Sequence, residues 1–407
     1  CGVIGFVTNA GYIDSNSADG LRKCLADEFS SLYFFHLRGN QRTSGERSRQ
    51  EGGKIFGGGS RAPIVIAVLV KNPDAKQHGQ IYFHDIGDYL SREEKLEKIS
   101  DLVSINGVTA INGWMTITPD AHNDWLNQRD DSFSEFIEIG NKKDKNASIL
   151  FNNFSLGIAT NRDAWCYQSS KHKIQVQLEK MIKLYNQEVK RIKMSSISKS
   201  EINNFINNDP SKISWTDTLK KDLWNKVILD FHTNDLCHSL YRPFTKQWLY
   251  YNKNLNQRRY QMPQIFPKGD MENLIISLTL SGTKGFGVLI SKFIPDLHLI
   301  GDTQCFPLYL YEENSVESNE TDLFNQAESN TTDGKYTRKD AISDAGLKHF
   351  QDAYPNETFS KEDIFYYVYG LLHSEDYRSR YADNLSKELP RIPCVKKAED
   401  FWVFSKA

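Results

Sequence analysis

Residues 2–70 restrict the fold more than any other part of the chain. An apolar run, Gly2 to Thr8 (GVIGFVT), leads through a polar turn, Asn9 to Ser17, into a helix expected from about Ala18 to Phe29. Leu21, Cys24, Leu25 and Phe29 fall on one face of that helix. Leu32 to Leu37 and Ile64 to Val70 read as strands separated by a long Gly/Arg/Ser loop, and a further strand is expected near Ile81 to His84. Strand, helix, strand, loop, strand is the pattern of one half of an open α/β sheet. With no element before the first strand, it reads as a domain entered halfway, so the chain is expected to be a fragment of a larger polypeptide.

From about residue 86 the pattern turns mixed and irregular. At 407 residues the chain exceeds one ordinary core. We expect an α/β half-sheet over 1–85 and a larger α+β region over 86–407. A helix over His172 to Met194 carries the apolar stripe Ile174, Leu178, Met181, Ile182, Tyr185, Val189 and Ile192, with Lys180, Lys183, Lys190 and Lys193 on the solvated side. Residues 312–338 are acidic and rich in Ser, Asn and Thr, which suits a polar surface insertion. Ser360-x-x-Asp363 resembles a capping box opening a buried helix.

Formal net charge is −2 and the pI about 6.6, so affinity for a polyanion must come from local patches. One such patch lies between Leu240 and Lys268. It holds six basic residues (Arg242, Lys246, Lys253, Arg258, Arg259, Lys268), seven aromatic ones (Tyr241, Phe244, Trp248, Tyr250, Tyr251, Tyr260, Phe266) and no acid. At the chain's overall acid frequency a stretch this long lacks Asp and Glu only about 2 % of the time, so chance is a poor account of it. Charge that seeks phosphate, interleaved with planar groups, suits a nucleic-acid surface. The plainer alternative is a core hairpin whose basic residues face water. A second patch, Arg38 to Arg61, sets six basic residues, among them Arg42, Arg47 and Arg61, against Glu46 and Glu51. It suits phosphate contacts or a solvated loop equally well.

The chemistry-bearing motifs are mostly absent. The glycine loop Gly52 to Arg61 (GGKIFGGGSR) runs into a strand, whereas phosphate-cradling glycines open a helix. Asp74 with Glu93-Glu94-Lys95 has a nuclease-like order, but EEKLEK has the look of an exposed helix with i, i+4 charge pairs. Cys237, His238 and His232 have no recognised metal spacing, and no Gly-x-Ser-x-Gly elbow occurs. Six scattered cysteines without a C-x-x-C pair fit neither a zinc ribbon nor a disulfide framework, and no apolar run is long enough to span a bilayer. A soluble cytoplasmic protein is expected.

Three stretches together resemble the Type ISP family of single-polypeptide, ATP-dependent restriction-modification enzymes. The first is GVIGFVTNAGYIDSNSADGLRKCLADEFSSLYFFHLRGN, continued by KIFGGGSRAPIVIAVLVKN. The second is ITPDAHNDWLNQRDDSF with GIATNRDAW, and the third LYRPFTKQWLYY, IPDLHLI and FYYVYGLLHSEDYRSRYADNLSKELPRIP. The resemblance implies the back part of a Rossmann-like adenine methyltransferase over 1–85 and a target-recognition domain over 86–407, in a bacterial cytoplasm. Double-stranded DNA is the implied partner. Nuclease, helicase and the front of the methyltransferase are implied upstream, with ATP and Mg there and S-adenosylmethionine bound only by the intact enzyme. The family's cofactor loop and Asn/Asp-Pro-Pro-Tyr/Phe motif have no counterpart here, since Asn9-Ala10-Gly11-Tyr12 departs from it and no Pro-Pro pair exists. The chain alone is therefore not expected to methylate, and no catalytic residue is assigned.

Phe56, just before the strand Ile64 to Val70, matches the family's aromatic that holds the flipped base, although an apolar plug for the glycine loop is the other reading. For DNA contact we select Arg42, Arg47, Arg61, Asn127, Gln128, Arg129, Arg242, Lys246, Tyr250, Arg258 and Arg259. Two rival functions remain: a module that docks on the helicase and nuclease without reading DNA, which burial of Tyr250, Tyr251 and Arg258 would favour, and an independent small-molecule α/β enzyme.

Overall fold

The computed structural model describes residues 1–58, 60–144, 146–279, 285–314, 331–332 and 335–406. Two compact units result. The first comprises Cys1–Phe133 and Tyr381–Glu388, the second the described parts of 134–380 and 389–407. The compact unit therefore extends past the pattern break at residue 85, because the segment after it adds a strand to the same sheet.

That sheet contains β1 (Gly2–Asn9), β2 (Ser31–Arg38), β3 (Ile64–Lys71), β4 (Gln80–Asp85) and β5 (Met115–Ile117), in the order β1-β3-β2-β4-β5. The four expected strands form. Their pairing is mixed: β3 runs antiparallel to both neighbours, and only β2 and β4 pair in parallel. Leu32, Phe34, Val65, Ala67, Leu69 and Ile81 fill one face. At the sheet's edge, β1 leaves Val3, Ile4 and Val7 more than half exposed.

The helix Asp19–Glu28 turns only half of its expected face inward, since Leu25 and Phe29 pack in the core. Leu21 and Cys24 are exposed, and Arg22 is fully buried. The reason is a carboxylate far along the chain: Arg22 donates to Asp124 Oδ1 at 2.7 Å and to the carbonyls of Asn123 and Ser15. Lys387 Nζ lies 2.8 Å from the other Asp124 oxygen and Arg129 Nε 3.6 Å from it. Lys387 sits on a short helix, Ala382–Lys387, that returns to this unit from near the C-terminus.

The second unit contains β6 (Ile137–Glu138), β7 (Ser155–Leu156), β8 (Tyr167–Gln168), β9 (Leu236–Arg242), β10 (Thr245–Tyr250), β11 (Ile275–Thr279), β12 (Val288–Ser291), β13 (Ile294–Pro295), β14 (Thr303–Pro307), β15 (Tyr309–Glu313), β16 (Thr331–Thr332), β17 (Tyr336–Asp340) and β18 (Arg391–Ile392). Two four-stranded sheets dominate it, β13-β9-β10-β8 and β12-β11-β14-β7. The long helix spans Lys171–Lys193, and all seven residues of its expected stripe are buried. Against it pack Leu219 and Leu223 of the helix Asp217–Trp224. The Ser360 capping box forms at the helix Lys361–His373, whose Tyr367 stacks on Phe401 at 4.5 Å between ring centroids. Of the expected 312–338 insertion, the flanks belong to β15 and β17, while 315–330 and 333–334 lie outside the described residues. Among the described residues no helix is long and apolar enough to cross a membrane.

Candidate nucleic-acid interface

β9 and β10 form an antiparallel hairpin closed by the two-residue turn Pro243–Phe244. Alternation along the strands separates two faces. Cys237, Ser239 and Leu249 point into the core. His238 and Trp248, directly paired across the strands, lie half-buried on the outer face with ring centroids 4.0 Å apart. Lys171 Nζ lies 5.0 Å from the Trp248 centroid, and Lys246 Nζ 5.0 Å from that of Phe293, a ring from outside the hairpin that sits 6.3 Å from His238. Burial, with Lys246 and Lys171 adding to it, lowers the His238 imidazole from its ordinary value. The hairpin thus offers water a surface of planar rings and ammonium groups.

Near the turn the hairpin is braced from within. Arg242 donates to Asp296 Oδ1 at 2.5 Å, and its guanidinium lies 3.9 Å from the Tyr241 ring centroid. Tyr241 in turn donates to Asp163 Oδ2 at 3.2 Å. Burial pushes the Asp296 carboxyl upward, partly offset by the His298 N–H and Arg242. Arg242 is therefore committed to a buried acid.

The other selected residues divide sharply. Tyr250 is fully buried and its hydroxyl accepts from the His232 N–H at 3.1 Å, so it belongs to the core, together with Tyr251 and Phe266. For these three rings the plainer hairpin reading holds. Arg258 is exposed, while its backbone exchanges hydrogen bonds with Ala159 at 2.9 and 3.0 Å, which fixes where the guanidinium starts. Arg259, half-buried, lies 5.3 Å from the Tyr251 ring centroid and borders a recess that also holds Asp230 and Asp235, making it a poorer phosphate contact. Lys246 is exposed.

Asn127, Gln128 and Arg129 serve the first unit. Asn127 Nδ2 donates to Asp14 Oδ1 (2.9 Å), Gln128 Nε2 to the Thr118 carbonyl (2.6 Å), and Arg129 Nη2 to Asn16 Oδ1 (2.7 Å). These bonds tie the segment around Asp124, while Asn127 and Gln128 stay exposed. No local pattern marks this, because every partner except Asp124 and Thr118 lies on a remote segment.

In the basic segment of the first unit, the expected loop contains a helix, Gly45–Glu51, with Glu46 in its first turn and Arg49 in its last, each suited to the helix dipole. It ends at Gly52, whose φ of +66° favours glycine. Approach there is tight: a Cβ on Gly52 would meet the Leu90 carbonyl oxygen at 2.2 Å, and one on Gly53 the Arg92 nitrogen at 2.5 Å. Lys95, fully buried on a helix expected to be exposed, donates to the carbonyls of Glu51 and Gly53 at 2.7 Å each. Arg92 Nε donates to the Ile55 carbonyl. With the loop's base pinned, Ile55 enters the core and Phe56 stays 50 % exposed. The plug is Ile55, which leaves Phe56 available. Arg42, Arg47 and Arg61 are exposed, and Arg61 reaches back to the Gln41 carbonyl at 3.0 Å.

Architecture and surface define a mixed α/β protein with a braced cationic-aromatic hairpin. Residues 149–407 match the family model of the Type ISP C-terminal specificity domain. The chain belongs to this family. Solved structures similar to all of it include a nuclease-deletion mutant of the Type ISP restriction-modification enzyme LlaGI in complex with a DNA substrate mimic, at 38 % identity and a TM-score of 0.78. The ATP-dependent Type ISP enzyme LlaBIII bound to DNA matches at 35 % and 0.80, and a DrdV-DNA complex at 33 % and 0.78. The chain spans 29 %, 24 % and 37 % of those chains, respectively. No individually curated protein matches it at a significant level.

Proposed function

We propose that this chain reads duplex DNA sequence on behalf of a larger restriction-modification polypeptide, presenting a flipped adenine for S-adenosylmethionine-dependent methylation by the intact protein. The observation that carries this reading is the β9–β10 hairpin, inside the family's specificity domain, with partly buried rings and ammonium groups at its outer face. Lys246 and Arg258 are its best-placed phosphate or base contacts, because both are exposed.

The first unit is read as the closing part of the methyltransferase. An edge strand with exposed Val3, Ile4 and Val7, beside a helix with exposed Leu21, is what a sheet presents when its next strand and covering layer come from another segment. Phe56 then holds the planar face of the adenine after it leaves the stack. The residues here do not fit the methyl donor: the glycine loop opens no helix, and the Gly53 N–H is used by the Leu90 carbonyl. S-adenosylmethionine, ATP and Mg are therefore assigned to upstream parts of the intact protein.

The test is selection from a random-duplex library by this chain at moderate salt. Enrichment of one adenine-containing motif supports the reading; duplex binding without enrichment reduces it to a backbone clamp. A docking role on the upstream helicase and nuclease is the second reading: Tyr250 and Tyr251 are buried, as it requires, whereas Arg258 is exposed, against it. Loss of all duplex binding, with tight binding to the upstream polypeptide, would establish it instead.

A further inference from the structure

Phe244 is the most exposed large apolar side chain among the described residues, at 93 %. It stands at the tip of the β9–β10 hairpin, with a backbone φ of +63°. A proline followed by a residue of positive φ is the type II turn pattern, and its second place ordinarily goes to Gly or Asn. Here a bulky ring occupies it, in a conformation that costs an L side chain free energy, and no core receives the ring. Behind the tip, Arg242 is held by Asp296 and Tyr241 by Asp163, so the turn projects from a braced base. Lower on the hairpin, exposed Lys246 and Lys292 hold their ammonium groups 5.0 and 5.8 Å from the ring centroid of Phe293, which neighbours His238.

We infer that Phe244 is a wedge inserted between adjacent base pairs of duplex DNA, with Lys246 and Lys292 on the flanking phosphates. This rests on the DNA-reading proposal above. A two-stranded ribbon is narrow enough to enter the major groove, and an apolar ring with nothing to pack on gains most from stacking on bases. The hairpin itself carries no acid between residues 240 and 268, and the two carboxylates behind its turn, Asp296 and Asp163, are engaged by Arg242 and Tyr241. A protein partner for the same tip would be better served by an apolar surround than by two free ammonium groups.

The test uses this chain and a short duplex carrying the motif it selects, with 2-aminopurine placed singly along the motif and its flanks. Insertion predicts a rise in fluorescence at one step on binding. Phe244→Asn suits the turn and should raise thermal stability, so misfolding cannot explain a loss. It should abolish that rise and weaken binding about tenfold, while Phe244→Trp keeps both. Unchanged affinity and fluorescence in Phe244→Asn overturn the wedge while leaving DNA reading intact. Failure of the unaltered chain to bind any duplex removes both.

Discussion

Arg242 and Asp296 meet at 2.5 Å, and the carboxylate of this pair is almost wholly buried while the guanidinium is about one-third exposed. The arginine therefore supports the hairpin from behind before it can touch anything outside. Arg242→Ala should cost roughly 1–3 kcal/mol of unfolding free energy at neutral pH, because it strands a buried carboxylate. Asp296 already has a raised folded value, and losing Arg242 raises it further. An acid raised on folding favours the fold when protonated and opposes it as pH climbs through the folded value, so the cost of Arg242→Ala should shrink from neutral to mildly acid pH. Urea unfolding at two pH values checks this, and a pH-independent cost would show that Asp296 is not the group involved.

Arg258→Ala should behave in the opposite way. Its side chain is exposed, so stability should stay within about 0.5 kcal/mol, while the salt dependence of duplex binding loses roughly one counterion. Binding titrations across a salt series give the slope, and an unchanged slope removes Arg258 from the interface.

Asp124 has Arg22 and Lys387 within 2.8 Å, all three buried. Asp124→Asn leaves two buried cations without a counterion and should lower stability by about 3–5 kcal/mol. A loss below about 1 kcal/mol in denaturant titrations would mean that water reaches the cluster.

Phe56→Ala, made in the intact polypeptide, should lower methylation on the order of tenfold with duplex affinity retained, and Phe56→Tyr should restore most of it. Parallel loss of affinity and methylation would instead assign Phe56 to general DNA contact.

Thiol reagents should distinguish the cysteines. Cys1 and Cys24 are exposed and should label quickly; burial pushes Cys166, Cys237 and Cys305 up to about 12, so these should label only on unfolding, while half-buried Cys394, raised likewise, should label slowly. Rapid labelling of Cys166, Cys237 or Cys305 in the native chain would contradict the packing around it.

The elements with a strong period were legible from the sequence. β1 to β4 and the stripe of the helix Lys171–Lys193 follow from apolar spacing alone, and so does the Ser360 capping box. What spacing does not carry is partnership across the chain. Arg22 lies inside and Leu21 outside because Asp124 waits 102 residues away, and Lys95 is buried because two backbone carbonyls need its protons. The same holds for the bonds of Asn127 to Asp14 and of Arg129 to Asn16, which no local spacing announces. At the hairpin, composition identified the segment but not its sidedness, which follows from the register pairing Trp248 with His238. Pro243 before Phe244 was the one local sign of an aromatic at a turn tip.

The return of the helix Ala382–Lys387 to the first unit gives that unit a history. Lys387 donates to the Asn127 carbonyl across 260 residues of chain, so on the ribosome the early unit must wait for a late piece. At roughly 5–20 residues per second the delay is on the order of 10–50 s. Throughout it Asp124 has only Arg22 and the more distant Arg129 as cations, and its second oxygen gains a close ammonium partner only when Lys387 has been made.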